Sequence, residues 1–123
     1  MTDPRHALGH AAEDAVSEWL TGQGWRVIAR RRRSPGGGEI DLVALDPASV
    51  LVAIEVRARR TARAGSAAMS IDPRGVRRLR RALATIASEA GERHTGLRVD
   101  LVTAEPVEDR SSRWRLVRIP GIG

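Results

Sequence analysis

Apolar residues recur at three- and four-residue intervals in two long segments of this chain. In the first segment, between Leu8 and Leu20, the apolar positions fall on one face of a helix. Pro4 suits the first helical position and Gly22 suits the end of the helix. The pattern predicts an amphipathic helix over residues 4–21.

The second amphipathic segment lies between Asp72 and Gly91. Asp72 can cap the helix, Pro73 can form its first turn, and Gly91 can stop it. The apolar stripe comprises Val76, Leu79, Leu83, Ile86 and Ala90, and the opposite face carries Arg74, Arg77, Arg78 and Arg81.

The remaining apolar segments are short and predict strands. They cover residues 25–29, 39–45, 50–57, 97–104 and 114–119. Turn-forming residues join the second and third strands into a hairpin. Residues 34–38, which follow a run of four arginines at 30–33, and residues 58–70 are predicted to be loops. The predicted order is α-β-β-β-α-β-β, an α/β chain that we expect to form a single domain over residues 1–123.

Charge adds a candidate partner to this outline. The chain has 21 basic and 15 acidic residues, and all the basic ones are arginine. A net charge of +6 favours contact with phosphate backbones. An arginine-rich surface is also typical of proteins from high-GC genomes, so a purely solvated surface stays open as the alternative. The chain has no cysteine and no apolar run of membrane-spanning length, and we expect a cytoplasmic protein without a membrane partner.

Candidate chemistry lies in the predicted hairpin. If Asp41 pairs with Glu55 across the two strands, their Cβ atoms are about 4.5 to 5.5 Å apart. Two carboxylates at that distance suit a shared divalent cation, Mg²⁺ or Mn²⁺, with the carbonyl oxygen of Val56 as a further oxygen ligand. An acid in the apolar run 50–56 needs such a reason, because burying it unpaired costs several kcal/mol.

A structural explanation of the same residues stays open. Glu39 and Arg57 would then form a cross-strand ion pair, and Asp41 would accept hydrogen bonds from the backbone or from arginine. Glu13 would belong to the solvated face of the first helix.

These residues carry a resemblance to a known family. The segments concerned are Ala12-Glu13, Gly38-Glu39-Ile40-Asp41, Val52-Ala53-Ile54-Glu55-Val56-Arg57, Gly65 and Arg98-Val99-Asp100-Leu101-Val102. Together they resemble the YraN-like family of small bacterial proteins, which is similar to archaeal Holliday-junction resolvases. The resemblance implies a restriction-endonuclease-like fold, a three-layer α-β-α domain with a mixed central sheet.

The resemblance also implies a function. Asp41 and Glu55 match the metal ligands of that superfamily, and Glu13 matches a helical acid that completes the site in related resolvases. The implied activity is Mg²⁺-dependent endonuclease action on DNA, at branched structures and as a homodimer. The superfamily's usual lysine is replaced by Arg57, which leaves a catalytically silent nucleic-acid-binding or scaffold protein as the alternative. Asp100 is expected to support the sheet or neighbouring arginines.

The chain departs from the family pattern at three other positions. Ala12 replaces a glycine, Arg31 an asparagine, and Gly75 a lysine at the start of the second helix.

Arginines around the hairpin are candidates for phosphate contact. They are Arg31, Arg32, Arg33, Arg59, Arg60, Arg77 and Arg78. Phe and Tyr are missing and the three Trp residues occupy core-like positions, so base stacking is not indicated. We expect DNA as the partner, with RNA still open, and binding without sequence specificity.

Overall fold

Two helices lie on opposite faces of a five-stranded sheet in a computed structural model that describes residues 4–36, 38–59, 72–108 and 112–122. The elements, in chain order, are α1 (Pro4–Gly22), β1 (Arg26–Arg33), β2 (Glu39–Leu45), β3 (Val50–Ala58), α2 (Pro73–Ala90), β4 (Gly96–Pro106) and β5 (Trp114–Ile119). This is the predicted element order.

The sheet is mixed, with the spatial order β1-β2-β3-β4-β5. Strands β3 and β4 are parallel and are connected through α2, whereas the other three neighbouring pairs are antiparallel. A parallel connection requires a crossover segment, which α2 supplies. The helix–sheet–helix layering and the mixed sheet confirm the predicted fold class.

Each face of the sheet has its own hydrophobic core. On the α2 side, Val76, Leu83 and Ile86 pack against Val43, Leu45, Leu51, Ala53 and Val99. On the α1 side, Val16 and Leu20 pack with Trp25, Leu42, Ala44, Val52, Ile54 and Val102. Strand residues therefore alternate between the two cores, as side chains on a doubly covered sheet must.

The alternation is interrupted at the start of β2. Strict alternation would put Ile40 with Leu42 on the α1 side, but Ile40 packs beside Val43 in the α2-side core. The side of the sheet on which Asp41 lies therefore does not follow from strand alternation alone. The interruption falls directly at Asp41.

The caps of α2 are those predicted from sequence. The Asp72 side chain accepts a hydrogen bond from the Arg74 N–H at 2.9 Å, and Gly91 has a left-handed φ of 63°. Glycine reaches that conformation without a Cβ penalty. Helix α1 matches its predicted range.

Strand β1 is longer than predicted. Residues 30–33 were expected to lead into a loop but continue the strand to Arg33. Each of these four arginines faces a carboxylate, so the strand carries the charge without an unpaired run of cations. Of the tryptophans predicted at core positions, Trp25 is buried, while Trp19 and Trp114 are partly exposed.

Part of the predicted loop after β3 lies outside the described residues, together with Arg60 and Gly65. Within the described ranges, neither helix combines the length and the apolar character needed to cross a membrane.

Candidate functional site

Asp41 and Glu55 meet at one end of the β2–β3 hairpin. The paired part of the two strands ends at Leu42 and Ile54, one residue before Asp41 and Glu55. Each of these two acids affects the pKa of the other, so their carboxyl groups lie close together. Asp41 Oδ2 also accepts the backbone N–H of Val56 at 2.8 Å. The pair is thus held by both strands.

The pair has the electrostatics of two acids that share a proton. Burial, and then the negative charge of Asp41, raise the pKa of Glu55 to about 7, and the positive charge of Arg57 only partly offsets them. Burial also raises the pKa of Asp41, although the hydrogen bond from Val56 opposes that change. Ionisation of both Asp41 and Glu55 is therefore unfavourable near neutral pH unless a cation binds between them.

Glu13 approaches this pair from α1. Its side chain is buried, with only 7% of the residue exposed, so it does not belong to the solvated face of the helix. Burial, and then the charge of Asp41, raise its pKa. Its Oε1 atom has no hydrogen-bond partner among the described residues, although Arg31 Nε lies 3.3 Å away.

Glu13 is close enough to influence Asp41 electrostatically, but the three acids do not form a ready-made ligand set. In the described part of the chain, no group of three or more His, Cys, Asp or Glu residues is arranged to hold a metal ion. The observed contact of Val56 with Asp41 runs through its N–H. Its carbonyl oxygen remains a predicted ligand.

Arg31 occupies a special place beside Glu13. Its φ is 49°, a left-handed conformation that is uncommon for arginine and easier for asparagine, the residue that the resemblance implies here. Its guanidinium contacts Glu13, and its Nη1 lies 2.9 Å from Nε2 of His10. Sequence reasoning missed these contacts because a left-handed residue within a strand has no signal in a run of identical arginines.

Arg57 and Glu39 do not form the cross-strand pair that the structural explanation required. Arg57 Nε lies 3.7 Å from Glu55 Oε1, and Glu39 Oε2 lies 3.6 Å from Arg33 Nε. The same explanation was right that Asp41 accepts a backbone hydrogen bond. Arg57 thus stands beside the carboxylate pair, in the position implied for the superfamily's lysine.

A cleft of about 190 Å³ opens next to Glu55 on the α2 side. Its lining comprises Gly38, Glu39, Glu55, Arg57, Gly75, Arg78 and Leu79. Sequence reasoning grouped Arg78 with a general basic rim and did not find its place beside Glu55. The structure explains the glycine at position 38 in terms of Arg78: a Cβ at that position would lie only 3.3 Å from Arg78 Cδ.

The candidate phosphate-binding arginines have different surroundings. Arg32 pairs with Glu89 at 3.5 Å and Arg33 with Glu39 at 3.6 Å. Arg59 is largely buried, 3.7 Å from Glu105. Arg77 and Arg78 are exposed on α2, and Arg60 lies outside the described residues.

Asp100 supports neighbouring arginines, as expected. The carboxylate is fully buried, 0% exposed, and accepts hydrogen bonds from Arg98, Arg118 and the Gly121 N–H. Both guanidinium groups lie over the Trp25 ring, 5.9 and 5.2 Å from its centroid. This network belongs to the structure of the sheet.

Known proteins match this chain over most of its length. The sequence profile described as "Uncharacterised protein family UPF0102" matches residues 12–104. A UPF0102 protein of Symbiobacterium thermophilum is 39% identical over 111 residues, covering 90% of this chain and 92% of that protein. One from Mycolicibacterium gilvum is 38% identical and covers 99% and 98%. One from Deinococcus radiodurans is 39% identical and covers 92% and 91%. The chain therefore belongs to the UPF0102 family, the YraN-like group that its motifs resemble.

Proposed function

We propose that this protein is a metal-dependent endonuclease that acts on DNA phosphodiester bonds, with branched DNA as the substrate to test first. One observation carries the proposal: two carboxylates from adjacent strands meet at the sheet end, where burial and then the charge of Asp41 raise the pKa of Glu55 to about 7. Arg57 offsets only part of this effect, so the pair keeps an excess of negative charge that a divalent cation would neutralise.

The residues present fit a hard cation. Asp41 and Glu55 supply carboxylate oxygens, and the Val56 carbonyl supplies a predicted third oxygen, which is the donor chemistry that Mg²⁺ or Mn²⁺ prefers. When bound, such a cation lowers the pKa of a coordinated water and neutralises charge on the phosphate. Glu13, whose Oε1 has no hydrogen-bond partner among the described residues, adds negative charge that raises the pKa of Glu55.

Arg57 would act on the phosphate and not as a base. Its guanidinium stays protonated at any working pH, so it cannot remove a proton from water. It lies against Glu55 and lines the cleft, where a cation stabilises negative charge that grows on the phosphate oxygens during cleavage. The proposed roles are therefore cation binding for Asp41 and Glu55 and charge stabilisation for Arg57.

Calorimetric titration with Mg²⁺ and Mn²⁺ tests the metal site. The wild-type protein should bind the ion, and Asp41→Ala should weaken binding by about tenfold or more, since second-shell changes alone cost that much. Asp14→Ala is the matched control, because Asp14 is an exposed carboxylate of α1, 62% exposed. No measurable binding by wild type, or equal loss in the two variants, contradicts the proposed site.

Two observations favour a second function, nucleic-acid binding without cleavage. Arg57 takes the place of a lysine, and the described residues contain no group of three acids arranged to hold a metal ion. A protein that keeps the fold and binds nucleic acid without cutting it needs neither lysine nor a third ligand. A nicking assay on branched DNA with Mn²⁺ separates the two functions. Cleavage by wild type that increases in Arg57→Lys supports the enzyme, whereas salt-sensitive binding with no cleavage by either protein supports the silent binder.

A further inference from the structure

The arginines of β1 are already neutralised within the protein. Residues 30–33 lie in one strand, and each places its guanidinium beside a different carboxylate. The acids come from both helices and from β2, and the pairs are Arg30 with Asp14, Arg31 with Glu13, Arg32 with Glu89 and Arg33 with Glu39. The strand therefore presents four dipoles to an approaching polyanion instead of four free positive charges.

Helix α2 has the opposite character. Its first half, residues 73–81, contains five arginines and no acid. Arg74, Arg77, Arg78, Arg80 and Arg81 are all exposed. None of them forms an ion pair with a carboxylate in the described ranges. Arg74, Arg77, Arg78 and Arg81 fall at spacings of three and four residues, so they share the face opposite the core.

This arginine face reaches the candidate site through Arg78. The stem of Arg78 passes over Gly38, whose φ is 87°, and lines the same cleft as Glu55 and Arg57. The other three arginines of the face lie within four residues of Arg78 on the same helix. A chain of phosphates laid across α2 would thus place one phosphate beside the carboxylate pair.

The difference between the two sets is large in Coulomb terms. A paired arginine brings its carboxylate toward the phosphate, and the repulsion cancels most of the attraction at distances beyond the pair itself. An unpaired arginine keeps its full charge and releases a counterion from the nucleic acid when it binds. Equal numbers of arginines on β1 and on α2 therefore do not contribute equally to affinity.

We propose that nucleic acid contacts this protein across the arginine face of α2, residues 74, 77, 78 and 81, with Arg78 holding the phosphate nearest to Glu55, and that the arginines of β1 have no such role. The partner chemistry is a phosphodiester backbone read by charge. The inference rests on the proposed function for the identity of the polyanion, but it requires neither a metal ion nor cleavage.

Two double variants that each remove two charged side chains provide the test. Arg77→Ala/Arg78→Ala removes two arginines from α2 that form no ion pair within the described ranges, and Arg32→Ala/Glu89→Ala removes one complete ion pair that involves β1. Fluorescence anisotropy measures the affinity for a short fluorescein-labelled DNA duplex across a salt series, with EDTA present. The α2 variant should lose about tenfold or more in affinity, and its dependence of log K on log salt should become shallower by about 2.

The β1 variant should lose less than about threefold in affinity, because an arginine and its paired carboxylate leave together and the net charge does not change. Arg77→Lys/Arg78→Lys keeps the charge and should retain most of the affinity. Thermal unfolding followed by circular dichroism confirms that each variant is folded. An α2 variant that fails to fold is replaced by the single variant Arg78→Ala, compared with the same β1 variant.

Equal losses in the α2 and β1 variants, or a larger loss in the β1 variant, overturn the inference and leave nucleic-acid binding intact. A wild-type protein that does not bind the duplex overturns both the inference and the proposed function. Failure to bind metal in calorimetry, combined with DNA binding that depends on α2, removes only the nuclease activity. DNA binding that depends on α2 supports the inference whether or not the protein binds metal.

Discussion

Replacing Glu55 with glutamine should stabilise the metal-free protein at alkaline pH. The variant keeps the shape of the side chain and its ability to hydrogen bond with Asp41, but it removes the ionisable group. In the wild type, burial and the charge of Asp41 raise the pKa of Glu55 from 4.5 to about 7. The folded protein therefore holds a proton that the unfolded chain has already released between these two values.

The sign of the effect follows from this difference in bound protons. Because the folded-state pKa is the higher one, stability falls as the pH rises from about 4.5 to about 7, and the full cost is present above that range. Each unit of pKa difference corresponds to about 1.4 kcal/mol, which sets the limiting cost at about 3 kcal/mol. Roughly 1 kcal/mol of it is already present at pH 5, so about 2 kcal/mol develops between pH 5 and pH 8.

Urea unfolding of both proteins at pH 5 and pH 8, with EDTA present, measures this cost. The stability gained in Glu55→Gln should be larger at pH 8 than at pH 5 by about 2 kcal/mol. Glu18→Gln, at an exposed position of α1, should shift stability by less than about 0.5 kcal/mol at either pH. Adding Mg²⁺ at pH 8 should stabilise the wild type but have little effect on Glu55→Gln.

A gain that is the same at both pH values would contradict a raised pKa of Glu55, because a pH-independent gain cannot come from titration of that group. A loss of stability at pH 8 would refute it as well, since it would mean that the charged carboxylate has a favourable partner within the protein.

Three further changes have outcomes that unfolding measurements can check. Asp100→Asn should lower the free energy of unfolding by about 3 kcal/mol or more, because it removes the buried charge that Arg98 and Arg118 share. Asp14→Asn, at an exposed ion pair, should lower it by less than about 1 kcal/mol. Similar losses in the two variants would contradict a stabilising role for the Asp100 network. Gly38→Ala should cost about 1 to 2 kcal/mol, because φ is 87° and the new Cβ would crowd Arg78, while Gly36→Ala, which meets nothing within 4 Å, should be nearly neutral. Arg31→Asn and Arg31→Ala both lose the contact with Glu13, but asparagine tolerates φ 49° better, so Arg31→Asn should be the more stable of the two by about 1 kcal/mol, and equal stabilities would argue against backbone strain.

Local sequence was sufficient for the helices and for the hairpin. Asp72, Pro73 and Gly91 set the ends of α2 through side-chain capping and glycine conformation, which depend on near neighbours alone. Tertiary context decided the end of β1. Arginines at residues 30–33 have no strand pattern of their own, and they continue the strand because acids from distant segments face them.

The sequence was sufficient to predict the two hairpin acids of the candidate site, but not the surroundings of Glu13. The proximity of Asp41 and Glu55 follows from the hairpin, whose two strands the apolar pattern predicts. The burial of Glu13 and its contact with Arg31 depend on how α1 docks and on a left-handed residue in β1. Neither leaves a periodic signal in sequence.

Strand β1 also has a consequence for how these molecules behave at high concentration. It is an outer strand of the sheet, so one row of its backbone groups has no neighbouring strand in the described part of the chain. Such a row is a template on which another molecule can add a strand and start an aggregate. The consecutive arginines and the irregular register between Val27 and Ala29 make that addition unfavourable. Residues that resemble a binding surface in sequence thus protect the protein from self-association through its sheet.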